Sequence, residues 1–186
     1  AQVIGCSIVT TRAVWGGDVP AGVSIVAVDA IVTDCSIVGF WDTGGLDGGG
    51  VYVNSSTTGF TVSNCSFTDC PIATSGGPSN FTIIGNRFDL SVAAAAISVT
   101  ESAHFIISNN QVDGNETAPY GIYLQGTAGA GTVLHRFTIT GNILQQFTTA
   151  GIHGEEFIQD GSIIGNHCDG FKSGSPNAPD AGYGIR

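Results

Sequence analysis

The chain repeats itself, and the repeat restricts its fold more than any other feature. An apolar residue, two spacers, an Asn or Cys, one spacer and a second apolar residue recur along it. The copies are Val3-Ile-Gly-Cys6-Ser-Ile8, Val32-Thr-Asp-Cys35-Ser-Ile37, Val62-Ser-Asn-Cys65-Ser-Phe67 and Ile83-Ile-Gly-Asn86-Arg-Phe88. Three more follow: Ile107-Ser-Asn-Asn110-Gln-Val112, Ile139-Thr-Gly-Asn142-Ile-Leu144 and Ile163-Ile-Gly-Asn166-His-Cys168. In four copies a Phe (Phe60, Phe81, Phe105 or Phe137) stands two residues before the first apolar position. Between copies lies a shorter motif, a small residue followed by apolar-x-apolar, as in Gly50-Val51-Tyr-Val53, Ala96-Ile97-Ser-Val99 and Gly121-Ile122-Tyr-Leu124. Gly151-Ile152-His and Gly184-Ile185-Arg continue the series.

Alternation with a period of two on both sides of a two-residue bend describes two strands meeting at a corner. The short motif supplies a third strand. One such unit cannot bury its inward face alone, so neighbouring units must stack to form a continuous core. The expectation is an all-β parallel β-helix, one domain over residues 1–186, with about seven turns and three strands per turn. From the short motif to the next Asn or Cys the spacing is nearly constant, whereas the other side of each repeat varies in length and carries the loops. Both ends read as strands with no polar cap or amphipathic helix. Solenoids need such caps, so the chain is expected to be a segment of a longer β-helix or a stack closed by other chains.

Composition agrees. The chain of 186 residues holds 19 Ile and 16 Val against 5 Leu and no Met, with 28 Gly and a single Lys. β-branched residues suit pleated strands and Gly suits tight turns, while good helix formers are scarce. Fifteen acidic and five basic residues give a net charge of -10. That balance excludes the basic stripe that nucleic-acid binding needs, and a polybasic membrane surface with it. No apolar run is long enough to span a bilayer. Ala1 to Thr11 reads as a strand, not a signal peptide. The five Cys contain no CxxC pair, against both a full disulfide framework and a zinc site. At the corner, Asn is expected to donate its side-chain amide to the corner carbonyl of the next turn. Cys6, Cys35 and Cys65 replace it as small, semi-buried residues.

Through these strand–Asn turn–strand repeats the chain resembles the right-handed parallel β-helix superfamily, the pectate-lyase-like proteins, over nearly its whole length. The resemblance implies right-handedness. It also implies a polysaccharide groove over the outer face of the short-motif strand. The superfamily includes polysaccharide lyases, polygalacturonase-like hydrolases, epimerases and bacteriophage tailspikes.

On that face the residue between the two apolar ones points outward, giving the column Tyr52, Ala73, Ser98, Tyr123, His153, Arg186. The next outward column reads Asn54, Ser75, Thr100, Gln125, Glu155. Rings for stacking and amides for hydroxyls fit a sugar, so Tyr52, Asn54, Tyr123, Gln125 and His153 are the candidate substrate-binding residues. An ordinary solvated strand, or a face buried in an oligomer, gives the same pattern. Glycoside hydrolysis needs two carboxylates about 5 to 9.5 Å apart. Glu155, Glu156 and Asp113 are the candidate catalytic residues, Asp113 as a loop acid facing Glu155 across the groove and Glu155 as the best acid. Asp89 and Asp113 are expected to be close neighbours on adjacent turns, but no acidic metal loop accompanies them. No metal or cofactor is assigned.

A lyase needs a cation for the substrate carboxylate and a base for the neighbouring proton. The few cations are scattered, and a chain of this charge repels a polyuronate, so a glycosidase is favoured over a lyase if any bond is cleaved. The Asn-Thr-Asp, Asp-Asp and Gly-His-Gly signatures of the polygalacturonases are absent. So is the Asp-Pro-His-Glu of the mannuronan epimerases. Three readings stand open. The first is a bacteriophage tailspike or tail-fibre β-helix, extracellular or on the virion surface, that binds a bacterial surface polysaccharide, with or without depolymerising it; for it the resemblance implies a homotrimer. The second is a secreted polysaccharide lyase or hydrolase. The third is a non-catalytic adhesin or structural β-helix.

Overall fold

The computed structural model describes residues 1–9, 21–40, 49–54, 57–126, 133–156 and 158–170, with the backbone alone at 183–185. Each repeat makes three strands, and equivalent strands of successive turns pair in parallel to give three seven-stranded sheets. The first sheet runs from Gln2–Ile4 to Ile158–Ile164 and precedes the corner. The second, after the corner, runs from Ser7–Val9 to His167–Asp169. The short motif forms the third, from Ala21–Ile25 to Tyr183–Ile185. The result is a right-handed parallel β-helix of seven turns, about 34 Å tall at 4.8 Å per strand. Its opening residues are not one strand, as expected, but two, because the bend at Gly5–Cys6 separates Gln2–Ile4 from Ser7–Val9.

The corner has a conformational cause. The residue before each Asn or Cys is left-handed in all seven turns: Gly5, Asp34, Asn64, Gly85, Asn109, Gly141 and Gly165. Gly, Asn and Asp are the residues that adopt this conformation at least cost. The second spacer of the motif is therefore a specified position.

The following residue builds a ladder. Asn86 Nδ2 donates to Asn110 Oδ1 at 3.0 Å, Asn110 Nδ2 to Asn142 Oδ1 at 3.0 Å and Asn142 Nδ2 to Asn166 Oδ1 at 2.8 Å. Each amide also donates to a main-chain carbonyl, but of the preceding turn, not the next: Asn110 to Ile83 O at 3.1 Å, Asn142 to Ile107 O at 3.0 Å. In the early turns sulfur takes over, with Cys35 N donating to Cys65 Sγ at 3.4 Å and Cys65 Sγ to Ser63 O at 3.2 Å.

Inside, Phe60, Phe81, Phe105 and Phe137 stack in one column, with centroids 4.5 to 5.2 Å apart and planes within 10°. Gly161 occupies the next rung, where a Cβ would strike the Phe137 ring, so the column ends there. The small residue that opens the short motif also has a packing reason. A Cβ on Gly50 would lie 2.9 Å from the Phe67 ring, and one on Gly121 would lie 2.9 Å from Phe147 and 3.1 Å from Leu144. Inward residues of the middle turns are fully buried, whereas Val3, Ile8 and Val23 of the first turn and Ile163 and Cys168 of the last are only partly so.

Candidate functional site

The register lines up the expected column: Tyr52 pairs with Ala73, Ala73 with Ser98, Ser98 with Tyr123 and Tyr123 with His153. Beside it, Thr100 pairs with Gln125 and Gln125 with Glu155. Arg186 lies outside the described residues.

The face is not the open groove that the sequence suggested. Ser98, Tyr123 and His153 are buried, at 3%, 6% and 7% exposure. Part of the cover is Tyr120, which stacks on His153 with centroids 4.5 Å apart and planes 8° apart, and on Tyr123 at 5.2 Å and 18°. Tyr123 and His153 themselves lie 12° from parallel. Three rings thus share nearly one orientation. Tyr120 is the site residue that sequence reasoning missed. Strict alternation back from Leu124 and Ile122 turns Tyr120 inward. Gly121, however, faces Phe147 and Leu144 in the core, which breaks the alternation and turns Tyr120 onto the same face as Tyr123. The signal was present as the small residue of the short motif.

Glu155 joins the rings. Tyr123 Oη donates to Glu155 Oε2 at 2.7 Å, and His153 Nε2 lies 3.0 Å from Glu155 Oε1. Burial, then the Glu155 contact, push the Tyr123 hydroxyl well above its ordinary pKa, so it remains a donor. Glu155 remains about half-exposed, with side-chain exposure of 45%. The other imidazole nitrogen, His153 Nδ1, is buried and has no hydrogen-bond partner among the described residues.

The remaining candidates lie elsewhere. Glu156 is the next residue, exposed and left-handed. Its charge contributes to the shift of Tyr123. Gln125 is half-buried beside Glu155. Tyr52 is half-buried and Asn54 exposed, but Tyr52 sits three turns from Tyr123, about 14 Å down the stack. Asp113 ends a strand of the second sheet, not the third. Its Oδ1 accepts from Asn115 N at 3.0 Å, and Asn115 Nδ2 donates to Asp89 Oδ1. One asparagine thus supplies a donor to each member of the Asp89–Asp113 pair. Among the described residues no three His, Cys, Asp or Glu side chains converge as metal ligands.

No curated protein matches the sequence. Among solved structures, the hyperthermoactive exopolygalacturonase from Thermotoga maritima is similar, with a TM-score of 0.51 and 10% identity. The superposition covers 77% of this chain and 38% of that one, and at such identity it speaks for the fold alone. Residues 21–174 match the family described as the right-handed β-helix region. With its three parallel sheets and its corner ladder of Asn and Cys, the chain belongs to the right-handed β-helix family.

Proposed function

We propose that this β-helix recognises a polysaccharide along the outer face of its third sheet. The observation that carries the reading is the cluster of Tyr120, Tyr123 and His153, three nearly parallel rings, of which Tyr123 and His153 are hydrogen-bonded to a half-exposed Glu155. The half-buried Tyr120 ring, backed by the buried Tyr123 and His153, offers a flat surface to the apolar face of a sugar, and a carboxylate with Gln125 beside it binds hydroxyls. Tyr52 and Asn54 form a second contact point on the same face, and a polymer that follows the stack spans both. A fold shared with an exopolygalacturonase supports the polysaccharide reading.

Within that reading the chain is one β-helix domain of a bacteriophage tailspike or tail fibre, displayed on the virion surface, that takes a bacterial surface glycan. Its acidic charge and its lack of the polygalacturonase and epimerase signatures favour this over a secreted hydrolase. If a bond is cleaved, Glu155 is the carboxylate that acts on it. Glu156 lies nearest to it in sequence, while Asp113 needs a substrate that wraps onto the second sheet. Incubation with capsular and O-chain glycans tests the proposal, comparing wild type with Glu155→Gln by new reducing ends and by unsaturated-uronate absorbance. Cleavage lost in the variant assigns Glu155. Cleavage that persists removes it from catalysis, and binding without cleavage leaves a recognition module.

A further inference from the structure

The first three rungs of the corner ladder are thiols. Cys6, Cys35 and Cys65 follow one another on successive turns, and the glycan site on the third sheet uses none of them. The strand partners on either side of the corner, Ile4 with Thr33 and Ser7 with Ser36, set Cys6 directly beneath Cys35. Ser36 N donates to Cys6 O at 2.8 Å, which keeps the two backbones at strand spacing. At about 4.8 Å, that spacing lies inside the Cα separation of about 4.4 to 6.8 Å that a disulfide spans. The sulfurs share one neighbourhood as well. Cys6 Sγ donates to Ile4 O at 3.4 Å, and Cys35 Sγ reaches down to the adjacent carbonyl, Val3 O, at 3.6 Å.

Accessibility and reach select the pair. Cys6 is exposed, whereas Cys35 and Cys65 are buried, at 3% and 2% exposure. Cys65 stands two turns above Cys6, Cys70 lies beyond the strand Ser66–Thr68 of that same turn, and Cys168 belongs to the last turn. Of the other four Cys, Cys35 alone is one turn from Cys6.

We infer that Cys6 and Cys35 form a reversible disulfide, with Cys6 as the thiol that meets the oxidant and Cys35 as the one that displaces it. The oxidant is a low-molecular-weight disulfide of the glutathione type. Cys6 attacks one of its sulfurs, which forms a mixed disulfide and releases one thiol. Cys35 then attacks the Cys6 sulfur, so the Cys6–Cys35 bond forms, the mixed bond breaks and a second thiol leaves. The two protons of the protein thiols end on the two released thiols, and the oxidant takes up the two electrons. Parallel neighbours hold their Cβ atoms near the strand spacing, wider than the mean of about 3.8 Å in disulfides, so the bond is strained and easily reduced. Oxidation acts as a removable clasp. It fastens the first turn, whose Val3, Ile8 and Val23 are only partly buried, to the second. This inference is independent of the glycan site.

Incubation of the folded chain with glutathione over a range of oxidised-to-reduced ratios tests it. Acid quenching, alkylation in denaturant and peptide mass spectrometry then read the state of every Cys. The inference expects a Cys6–Cys35 linked peptide in most chains at the oxidised end, lost again when reductant is added. In Cys35→Ser the glutathione adduct should stay on Cys6. In Cys6→Ser the oxidation of Cys35 should slow at least tenfold. Cys6 is exposed, so Cys6→Ser keeps the fold, as circular dichroism checks, and it carries the comparison even if Cys35→Ser unfolds. A wild type whose Cys35 stays a thiol at every ratio overturns the inference, whether Cys6 carries glutathione or not. A Cys6–Cys6 link between chains, or a Cys35–Cys65 link, in place of the Cys6–Cys35 bond overturns it too. Equal oxidation of Cys35 in wild type and Cys6→Ser has the same force.

Discussion

The Tyr123 hydroxyl donates a 2.7 Å hydrogen bond to Glu155, 32 residues further along the chain yet only one turn up the stack. The bond ties the candidate site to the stability of the turns that build it. Tyr123→Phe keeps the ring stack and removes only the donor, so unfolding in urea at neutral pH should show a loss of about 1 kcal/mol. The pH dependence is sharper. Burial and the neighbouring carboxylate hold the phenol proton on the folded chain at pH values where the unfolded chain releases it. This contribution is complete below the ordinary tyrosine pKa of about 10 and falls away as pH rises above it. Urea titrations from pH 8 to 11 should show a shallower alkaline decline in Tyr123→Phe than in wild type.

The corner ladder makes Asn110 a stability residue. Its side chain donates to Ile83 O and Asn142 Oδ1 and accepts from both Asn86 N and Asn86 Nδ2, all in a site at 1% exposure. Asn110→Ala strands several buried polar groups and should cost roughly 3 kcal/mol or more. Asn110→Cys should cost less, because Cys65 at the same corner both accepts a backbone N–H and donates to carbonyls. Equilibrium unfolding of the two variants checks the order.

Burial separates the cysteines. Desolvation pushes the Cys65 thiol up to about 11 and Cys70 up to about 12, so neither is a thiolate near neutral pH. Cys6 is exposed. A thiol reagent at pH 8 should modify Cys6 quickly, and Cys35, Cys65 and Cys70 only on unfolding. Mass spectrometry of the labelled peptides reads the pattern.

Gly121 links the core to the site. Adding a methyl places a Cβ 2.7 Å from Gly151 O and 2.9 Å from the Phe147 ring, and the strand must shift. Gly121→Ala should lose about 1 to 3 kcal/mol, the usual cost of overpacking. It should also disturb the Tyr120 stack, since Gly121 is what turns Tyr120 outward. Near-ultraviolet circular dichroism of the tyrosines should change along with the stability.

The sequence carried the scaffold almost completely, because each turn repeats the same physical requirement. The bend, its Asn or Cys and the three strands are all periodic, and periodicity survives without coordinates. What it hid were departures from period. Asp34, Asn64 and Asn109 read as spacers until their left-handed backbone showed them to be equivalent to Gly85 and Gly141. Tyr120 was lost to strict alternation across Gly121. Burial of Tyr123 and His153 depends on a ring from the first residue of the same strand, Tyr120, which no single-column reading contains. Asp113 shows the reverse: it lies close in sequence to a loop, yet the corner places it at the end of a strand of the second sheet.

Glycan affinity in Tyr120→Ala tests the central claim most directly. The residue lies outside the buried core and the ladder, and its ring covers both Tyr123 and His153. Wild type and variant should be titrated with an oligosaccharide of the surface glycan that wild type binds, with Ser66→Glu on the second sheet as the control. The account predicts a loss of affinity of at least tenfold in Tyr120→Ala and none in the control. Equal affinity in Tyr120→Ala and wild type, with both proteins folded, would contradict it.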